Sequence, residues 1–354
     1  MKNITIQPNQ TIFSAMKRLE ITGERSLIVV NKSLKFLGTL TDGDIRRNII
    51  KGVNLKTKIN KIFKKKAIYL LEGRFNDKQV EKILIKQNHI MIPVLDPKTH
   101  RYLYFVSWKT TFGEKKPIEN IKNCNVVIMS GGMGKRLLPF TEVLPKPLIP
   151  IKGKPVIDHI IDNFKLFGIK KFFLTLNFKS KILKSYFKSK NNKKTKISFV
   201  KEDMPLGTIG SLKLLKNNLT ENFFSINCDI IINHNLKEIY DFHTSNSYDL
   251  TIVTSIKNFE IPYGVCETNS KGVLKNFLEK PSYDLFINTG LYVFKKSTIN
   301  FIPRNQNFDI QKLIEKLKKS KKKIGIFPIN QSSWFDVGQW TEFNKTNNFF
   351  NNEK

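Results

Sequence analysis

The apolar positions of this chain follow one rhythm up to about residue 110 and another beyond residue 121. In the first stretch, TIFSAMKRLEITG (11–23) places apolar residues at helical spacing, SLIVVN (26–31) is an unbroken apolar run, and FLGTLTDGDIRRNIIKG (36–52) opens as a strand. The same succession returns as RFNDKQVEKILIKQN (74–88), MIPVLD (91–96) and RYLYFVSWKT (101–110). Helix, strand, turn and strand, twice at similar spacing, predict an internal duplication. The stretch TFGEKKPIENIKN (111–123), with Gly113 and Pro117, predicts the linker.

Beyond it, strands and helices alternate. NCNVVIMS (123–130) predicts a strand, and KPVIDHIIDNFKLFG (154–168) a helix with Ile157, Ile160, Ile161, Phe164 and Phe167 on one face and Gly168 at its end. KFFLTL, KISFV and NFFSIN read as strands, KSKILKSYF and GSLKLLKNN as helices. That alternation predicts a Rossmann-like α/β fold with a mixed, mainly parallel sheet and helices on both faces. From about residue 249 the chain turns strand-rich (DLTIVTSI, YGVCET, VLKNFLE, NTGLYVF), which predicts an antiparallel extension at the sheet's carboxyl edge. A helix over DIQKLIEKLKK and a strand over KIGIFPI lead into WFDVGQW (334–340). The expected domains are 1–118, an α+β pair of repeats, and 119–354.

Composition narrows the class. With 354 residues, two or three domains fit. No apolar run reaches the ~20 residues that span a bilayer, so no membrane partner is expected. The amino terminus has no signal-peptide pattern, and Cys124, Cys228 and Cys266 are too few and scattered for a disulfide framework or zinc site, so a cytoplasmic protein is expected. The net charge of +32 invites a nucleic-acid partner. Its cations are mostly lysines spread along the whole chain with no nucleic-acid-binding motif, which argues for a solubilising surface instead, and no nucleic-acid partner is expected.

The chemistry concentrates in MSGGMGKRLLPFTEVLPKPL (129–148). A P-loop needs a hydroxyl after its lysine, and here Arg136 follows Lys135. A dinucleotide fingerprint needs a final glycine where Leu137 stands. What remains resembles the sugar-1-phosphate nucleotidyltransferases: Gly131, Gly132, Gly134, Arg136, Leu137, Pro139 and Thr141, then PKPLIP and GKPVI. The resemblance implies that an NTP and a sugar 1-phosphate meet here. Ser130, Gly131, Gly132 and Gly134 would cradle the nucleotide's phosphates, Arg136 would follow charge onto the pyrophosphate, and Lys146 would sit near the α-phosphate. It also implies Mg2+ held by Asp229, in an NCD stretch resembling the family's N-G-D with Cys228 replacing glycine, and by Asp336 in WFDVG. Leu206 and Gly207 in EDMPLGTIGSL would line the nucleotide pocket, while Gly264, Glu279, Lys280 and Asn288 would hold the sugar phosphate.

The amino-terminal repeats resemble a pair of CBS motifs. GTLTDGD places Thr41 and Asp44 for a ribose, and in the second copy Ser107 aligns with Thr41 while Thr110 stands where the aspartate belongs. Adenine-nucleotide binding and a scaffold for homo-oligomer assembly are both consistent with such a pair. A CBS pair ahead of this transferase resembles the glucosamine-1-phosphate guanylyltransferases of legionaminic acid biosynthesis, which implies GTP and glucosamine 1-phosphate. Glucose-1-phosphate thymidylyltransferase and mannose-1-phosphate guanylyltransferase remain alternatives, as does an inactive CBS-regulated nucleotide sensor.

Overall fold

The computed structural model describes residues 3–86, 91–107, 119–190, 195–340, 342–344 and 346–347. The chain divides into two compact units, 1–117 and 118–354. Thr110 and the linker glycine and proline, Gly113 and Pro117, lie outside the described residues.

The first unit is two copies of one element order. The first copy contains β1 (Thr5–Ile6), α1 (Ile12–Thr22), β2 (Ser26–Val30) and β3 (Phe36–Thr41), followed by α2 (Asp42–Ile50). The second contains β4 (Leu70–Leu71), α3 (Asp77–Lys86), β5 (Met91–Leu95) and β6 (Tyr102–Ser107). In each, the central strand is parallel to the short first strand and antiparallel to the third. Even the irregularities correspond, at Val29/Val30 and at Val94/Leu95. The duplication read from the apolar rhythm is therefore structural. β1 and β4 escaped that rhythm because two residues are too few to display a period. Helix α1 starts where the Thr11 hydroxyl accepts the Ser14 N–H, and it buries Ile12, Ala15 and Leu19.

In the second unit, β7 (Asn125–Met129), α4 (Phe140–Val143), a small hairpin of β8 (Pro150–Ile151) and β9 (Lys154–Pro155), α5 (Val156–Leu166), β10 (Lys171–Leu176), α6 (Ser180–Ser189) and β11 (Lys196–Lys201) come first. β12 (Asn222–Asn227), β13 (Ile230–Ile232), α7 (Leu236–Ser245) and β14 (Leu250–Glu260) follow. β15 (Val265–Thr268), β16 (Leu274–Leu278), β17 (Ser282–Lys295), α8 (Ile310–Lys319), β18 (Ile324–Ile329) and β19 (Trp334–Asp336) complete it. Seven strands form one sheet in the order β11-β10-β7-β12-β17-β14-β18. Within that sheet β17 opposes the other six strands, so the sheet is mainly parallel.

Both faces are covered, which is why β7 and β10 read as continuous apolar runs. On one face Phe164 of α5 meets Phe224 of β12 with ring centroids 5.2 Å apart. On the other, Leu313 and Leu317 of α8 pack with Leu212, Phe223 and Phe294. The segment 210–218, expected to be a helix, forms a 3-10 run over Gly210–Leu215. Ile209, Leu212 and Leu215, all buried, recur every third residue, and that period matches the three-residue turn of a 3-10 helix. β14 and β17 are longer than their apolar cores, and past Thr254 and Asn288 they continue as a two-stranded ribbon beside the β15–β16 hairpin.

Beneath the sheet, His243 of α7 is 1% exposed, between the Thr251 hydroxyl at 2.9 Å and the Asn222 side-chain oxygen at 3.2 Å. Burial holds its pKa down at about 4. The unfolded chain takes up this proton near pH 6.5, so His243 leaves stability untouched above that pH. Stability then declines as pH falls from 6.5 towards 4, by up to roughly 3 kcal/mol for this group. Denaturant unfolding at pH 7.5 and pH 4.5 should show a difference that shrinks in His243→Gln. An equal difference in the two proteins would contradict the assignment.

Candidate active site

The carboxyl ends of the parallel strands gather the expected loop. Just past β7, Ser130 is buried, its N–H on the Thr175 hydroxyl and its own hydroxyl on the Ile128 carbonyl, so it forms the root of the loop. Gly134 has φ 70°, and a Cβ there would lie 2.8 Å from Thr141 Cγ2. The Thr141 hydroxyl donates back to the Gly134 carbonyl at 3.1 Å and closes the loop. Around Gly132 a Cβ would meet no atom within 4 Å, leaving open space above the backbone. Arg136 is exposed on the short turn Lys135–Leu137.

Two carboxylates and an ammonium meet beside this loop. Asp229 follows β12, and β13 pairs with β19 so that Ile230 lies opposite Asp336. Lys146 forms an ion pair with Asp229, both side chains only about a tenth exposed at 11% and 12%. Gly338 is the residue that shows how tightly they converge. A Cβ there would stand 2.5 Å from Asp229 Oδ2, 2.9 Å from Asp336 Oδ1 and 3.1 Å from Lys146 Nζ. The glycine's N–H instead donates to Asp336 Oδ1 at 2.7 Å. Burial pushes the Asp336 pKa up and the Asp229 charge adds to this, while the Gly338 N–H and the charges of Lys146 and Arg136 oppose it. Cys228 turns into the core, and burial together with Asp229 raises its pKa to about 12.

This donor set suits magnesium. Among the described residues no group of three or more His, Cys, Asp or Glu side chains forms a complete metal cage. Two carboxylates beside a phosphate loop are what Mg2+ uses when phosphate oxygens and water complete its octahedron. Asp229 and Asp336 are therefore the residues that could hold it.

Two residues not singled out in the sequence belong here. Gly338 was visible only as the last letter of WFDVG. Glu202, which opens EDMPLGTIGSL, is 6% exposed and lies against the root of the loop: a Cβ on Gly131 would sit 2.8 and 2.9 Å from its two carboxylate oxygens. The Leu206 N–H reaches Glu202 at 3.4 Å, and no cation pairs with the carboxylate among the described residues. Gly207 has φ 78° and packs on residues 307–309, where a Cβ would clash with Asn307, Phe308 and Asp309, so the fold itself requires this glycine.

On the sugar side, a Cβ on Gly264 would come within 3.2 Å of Glu279, which brings these two together, and Lys280 follows with φ 45° at the start of the ribbon. Asn288 of β17 donates to the Tyr292 hydroxyl at 2.7 Å. Its motif touches that of Asp229, because a Cβ on Gly290 would lie 2.6 Å from Asn227 Nδ2. In the first unit, Thr41 and Asp44 form a capping box on α2: the Asp44 carboxylate accepts the Thr41 N–H at 3.0 Å and the Thr41 hydroxyl at 2.6 Å, and pairs with Arg47. These contacts account for both residues as a helix start.

Lys146→Met leaves the buried Asp229 and the half-buried Asp336 carboxylates together without this ammonium. Unfolding of this variant should show a stability loss on the order of 3 kcal/mol. Millimolar magnesium should restore part of it, but not in the Lys146→Met/Asp336→Asn double variant. Equal recovery in both would contradict a shared cation site.

Comparison with known proteins identifies the family. The nucleotidyl transferase family model matches residues 125–353, and the CBS domain model matches residues 1–51. Mannose-1-phosphate guanyltransferase of Candida albicans is 32% identical over 225 residues, covering 61% of this chain and 62% of that protein. Bifunctional protein GlmU of Methanococcus maripaludis is 30% identical over 237 residues, 64% of this chain and 54% of that protein. The chain thus spans less than two thirds of the length of these relatives. The crystal structure of HddC from Yersinia pseudotuberculosis has a TM-score of 0.51 at 25% identity, over 64% of this chain and 99% of that one. A putative glucose-1-phosphate thymidylyltransferase from Bacillus anthracis shares the fold, with a TM-score of 0.52 at 18% identity over 65% of this chain and 96% of that one. A matched stretch running from β7 past β19 takes in well over half of the chain, which belongs to the nucleotidyl transferase family and carries a CBS domain ahead of its transferase region.

Proposed function

We propose that the chain joins an NTP to a sugar 1-phosphate, forming an NDP-sugar and pyrophosphate. The convergence of Lys146, Asp229 and Asp336 under Gly338, beside the open glycine loop and Arg136, carries this reading. An oxygen of the sugar phosphate attacks the α-phosphorus, the α–β P–O bond breaks, and pyrophosphate leaves with its electron pair. Gly131, Gly132 and Gly134 offer backbone N–H groups to the phosphates, rooted by Ser130. Arg136 stabilises charge as it grows on the leaving pyrophosphate. Lys146 shields the incoming phosphate from the α-phosphate, while Asp229 fixes the ammonium in place. Magnesium, held by Asp229 and Asp336, supplies charge neutralisation of the phosphates when bound. Gly264, Glu279, Lys280 and Asn288 receive the sugar phosphate. An inactive nucleotide sensor is disfavoured, because it would have no need of a lysine, an arginine and two carboxylates assembled in one place.

The nucleotide is GTP in this reading. Glu202 lies at the root of the loop, where the base would sit beside Leu206 and Gly207. A carboxylate there repels phosphate but matches guanine, whose N1–H and N2–H2 present two adjacent donors; the other bases do not. The names of the guanylyltransferase relatives agree. Glucosamine 1-phosphate as acceptor, for a surface glycan such as legionaminic acid, rests on the CBS-transferase architecture; mannose 1-phosphate is the rival favoured by the relatives' names. The CBS unit is read as binding an adenine nucleotide or pairing copies into a homo-oligomer, in a cytoplasmic protein.

Pyrophosphate release across a grid of NTPs and sugar 1-phosphates with magnesium tests the reading. Release is expected with GTP and glucosamine 1-phosphate, and Arg136→Ala or Asp229→Asn should each lower turnover at least about a hundredfold. No release in any combination would sink the transferase reading; release only with dTTP and glucose 1-phosphate would sink the substrate assignment. Glu202→Gln should lower kcat/KM for GTP roughly ten- to hundredfold relative to other NTPs. An unchanged preference would remove Glu202 from base recognition.

A further inference from the structure

A cavity of about 650 Å³ opens between α5, α6 and the edge strand β11, and nothing in the transfer reaction uses it. It lies towards the amino end of β11, whereas Glu202 follows that strand's carboxyl end. From Phe199, the lining residue nearest that end, to Glu202 the strand covers about 10 Å at ~3.3 Å per residue. The cavity is therefore separate from the nucleotide loop.

Its walls combine apolar and aromatic side chains with lysines and the two aspartates Asp158 and Asp162. Phe187 of α6 and Phe199 of β11 line it, with ring centroids 6.1 Å apart, and Ile161 and Ile197 extend the apolar floor. Lys184 and Lys188, one turn apart on α6, stand at the wall, and neither is engaged by a carboxylate among the described residues. Lys190 and Lys165 also reach it, but Asp158 holds the first and Asp162 the second. One polar atom points to a missing partner: the Thr195 hydroxyl is buried at the cavity and has no hydrogen-bond partner among the described residues. A buried hydroxyl left without a partner costs free energy, which a ligand oxygen or nitrogen would recover.

We propose that this cavity binds a small phosphorylated molecule carrying a planar ring, such as a nucleoside diphosphate, at a site distinct from the catalytic one. The ring lies against the aromatic faces of Phe187 and Phe199, which are inclined at 50° to each other and form an apolar cleft. The phosphates meet the two uncommitted ammonium groups of Lys184 and Lys188. The Thr195 hydroxyl bonds a polar atom of the ring or its attached sugar. The volume is in the range of small-ligand pockets, several hundred Å³.

Hydrogen exchange of the full chain, with and without GDP as probe, tests the site apart from the transfer reaction. GDP at ten times its dissociation constant should slow exchange about tenfold in segments 180–189 and 196–201. In Lys184→Glu/Lys188→Glu this protection should vanish, while any protection of the loop at 131–137 persists, because both lysines are exposed on α6 and belong to the cavity wall rather than to the loop. Protection of the loop alone at saturating GDP would overturn the second site. Equal protection of 180–189 and 196–201 by inorganic pyrophosphate would overturn the role given to the aromatic floor. Loss of loop protection together with the cavity's in the double variant would also overturn it, since the two sites would not be separate.

Discussion

The transferase unit is organised around one nearly dry ion pair. Lys146 comes from the segment after the glycine loop, Asp229 from the end of β12, and Asp336 from the last strand, and the three charged groups meet at Gly338. The pairing of β13 with β19 in a short two-stranded sheet and the Val337 N–H on the Asp229 carbonyl at 2.8 Å together hold the last strand against the site. A third of the chain's sequence length lies between Asp229 and its neighbour Asp336, so the site exists only once the whole unit has folded.

Such a cluster is a poor way to stabilise a fold. Desolvating two carboxylates and one ammonium costs several kcal/mol per ion, and their attraction only roughly repays it. The raised pKa of Asp336 records the imbalance, since burial and Asp229 together outweigh the neighbouring cations. What the arrangement gains is preorganisation. Charges already desolvated and fixed need little rearrangement when two polyanions arrive. The same logic explains why the glycines here differ in kind. Gly134 and Gly338 are forced by close neighbours, whereas Gly132 faces open space.

Much of this was legible in the sequence. Alternating strands and helices gave the covered, mainly parallel sheet, because burial on both faces writes itself as apolar runs. Arg136, Lys146, Asp229 and Asp336 carried their motifs openly, and the structure brings Lys146, Asp229 and Asp336 together while the charge of the exposed Arg136 is felt at Asp336. Other features left no local trace. The reversed direction of β17 depends on a long-range pairing with β12 and β14 that no single window contains. The ribbon beyond Thr254 mixes polar and apolar residues, so its strands outran their apolar cores. Glu202 stood at the head of EDMPLGTIGSL with no role of its own, because its nearness to Gly131 joins residues far apart in the chain. In the amino-terminal unit, Thr41 and Asp44 matched a ligand motif that is also a helix-capping signature, and spacing alone does not separate the two. The net charge of +32 resolved nothing about the site, because most of its cations are lysines spread along the whole chain.

The central claim is that the glycine loop holds a triphosphate for cleavage between its α- and β-phosphorus by an incoming sugar phosphate. Parallel reactions with GTP labelled with 32P at the α or the γ position, each with glucosamine 1-phosphate, test it most directly. The account predicts that α-label appears in the nucleotide sugar and γ-label in pyrophosphate. Release of γ-label as inorganic phosphate, or its transfer to the sugar, would contradict it.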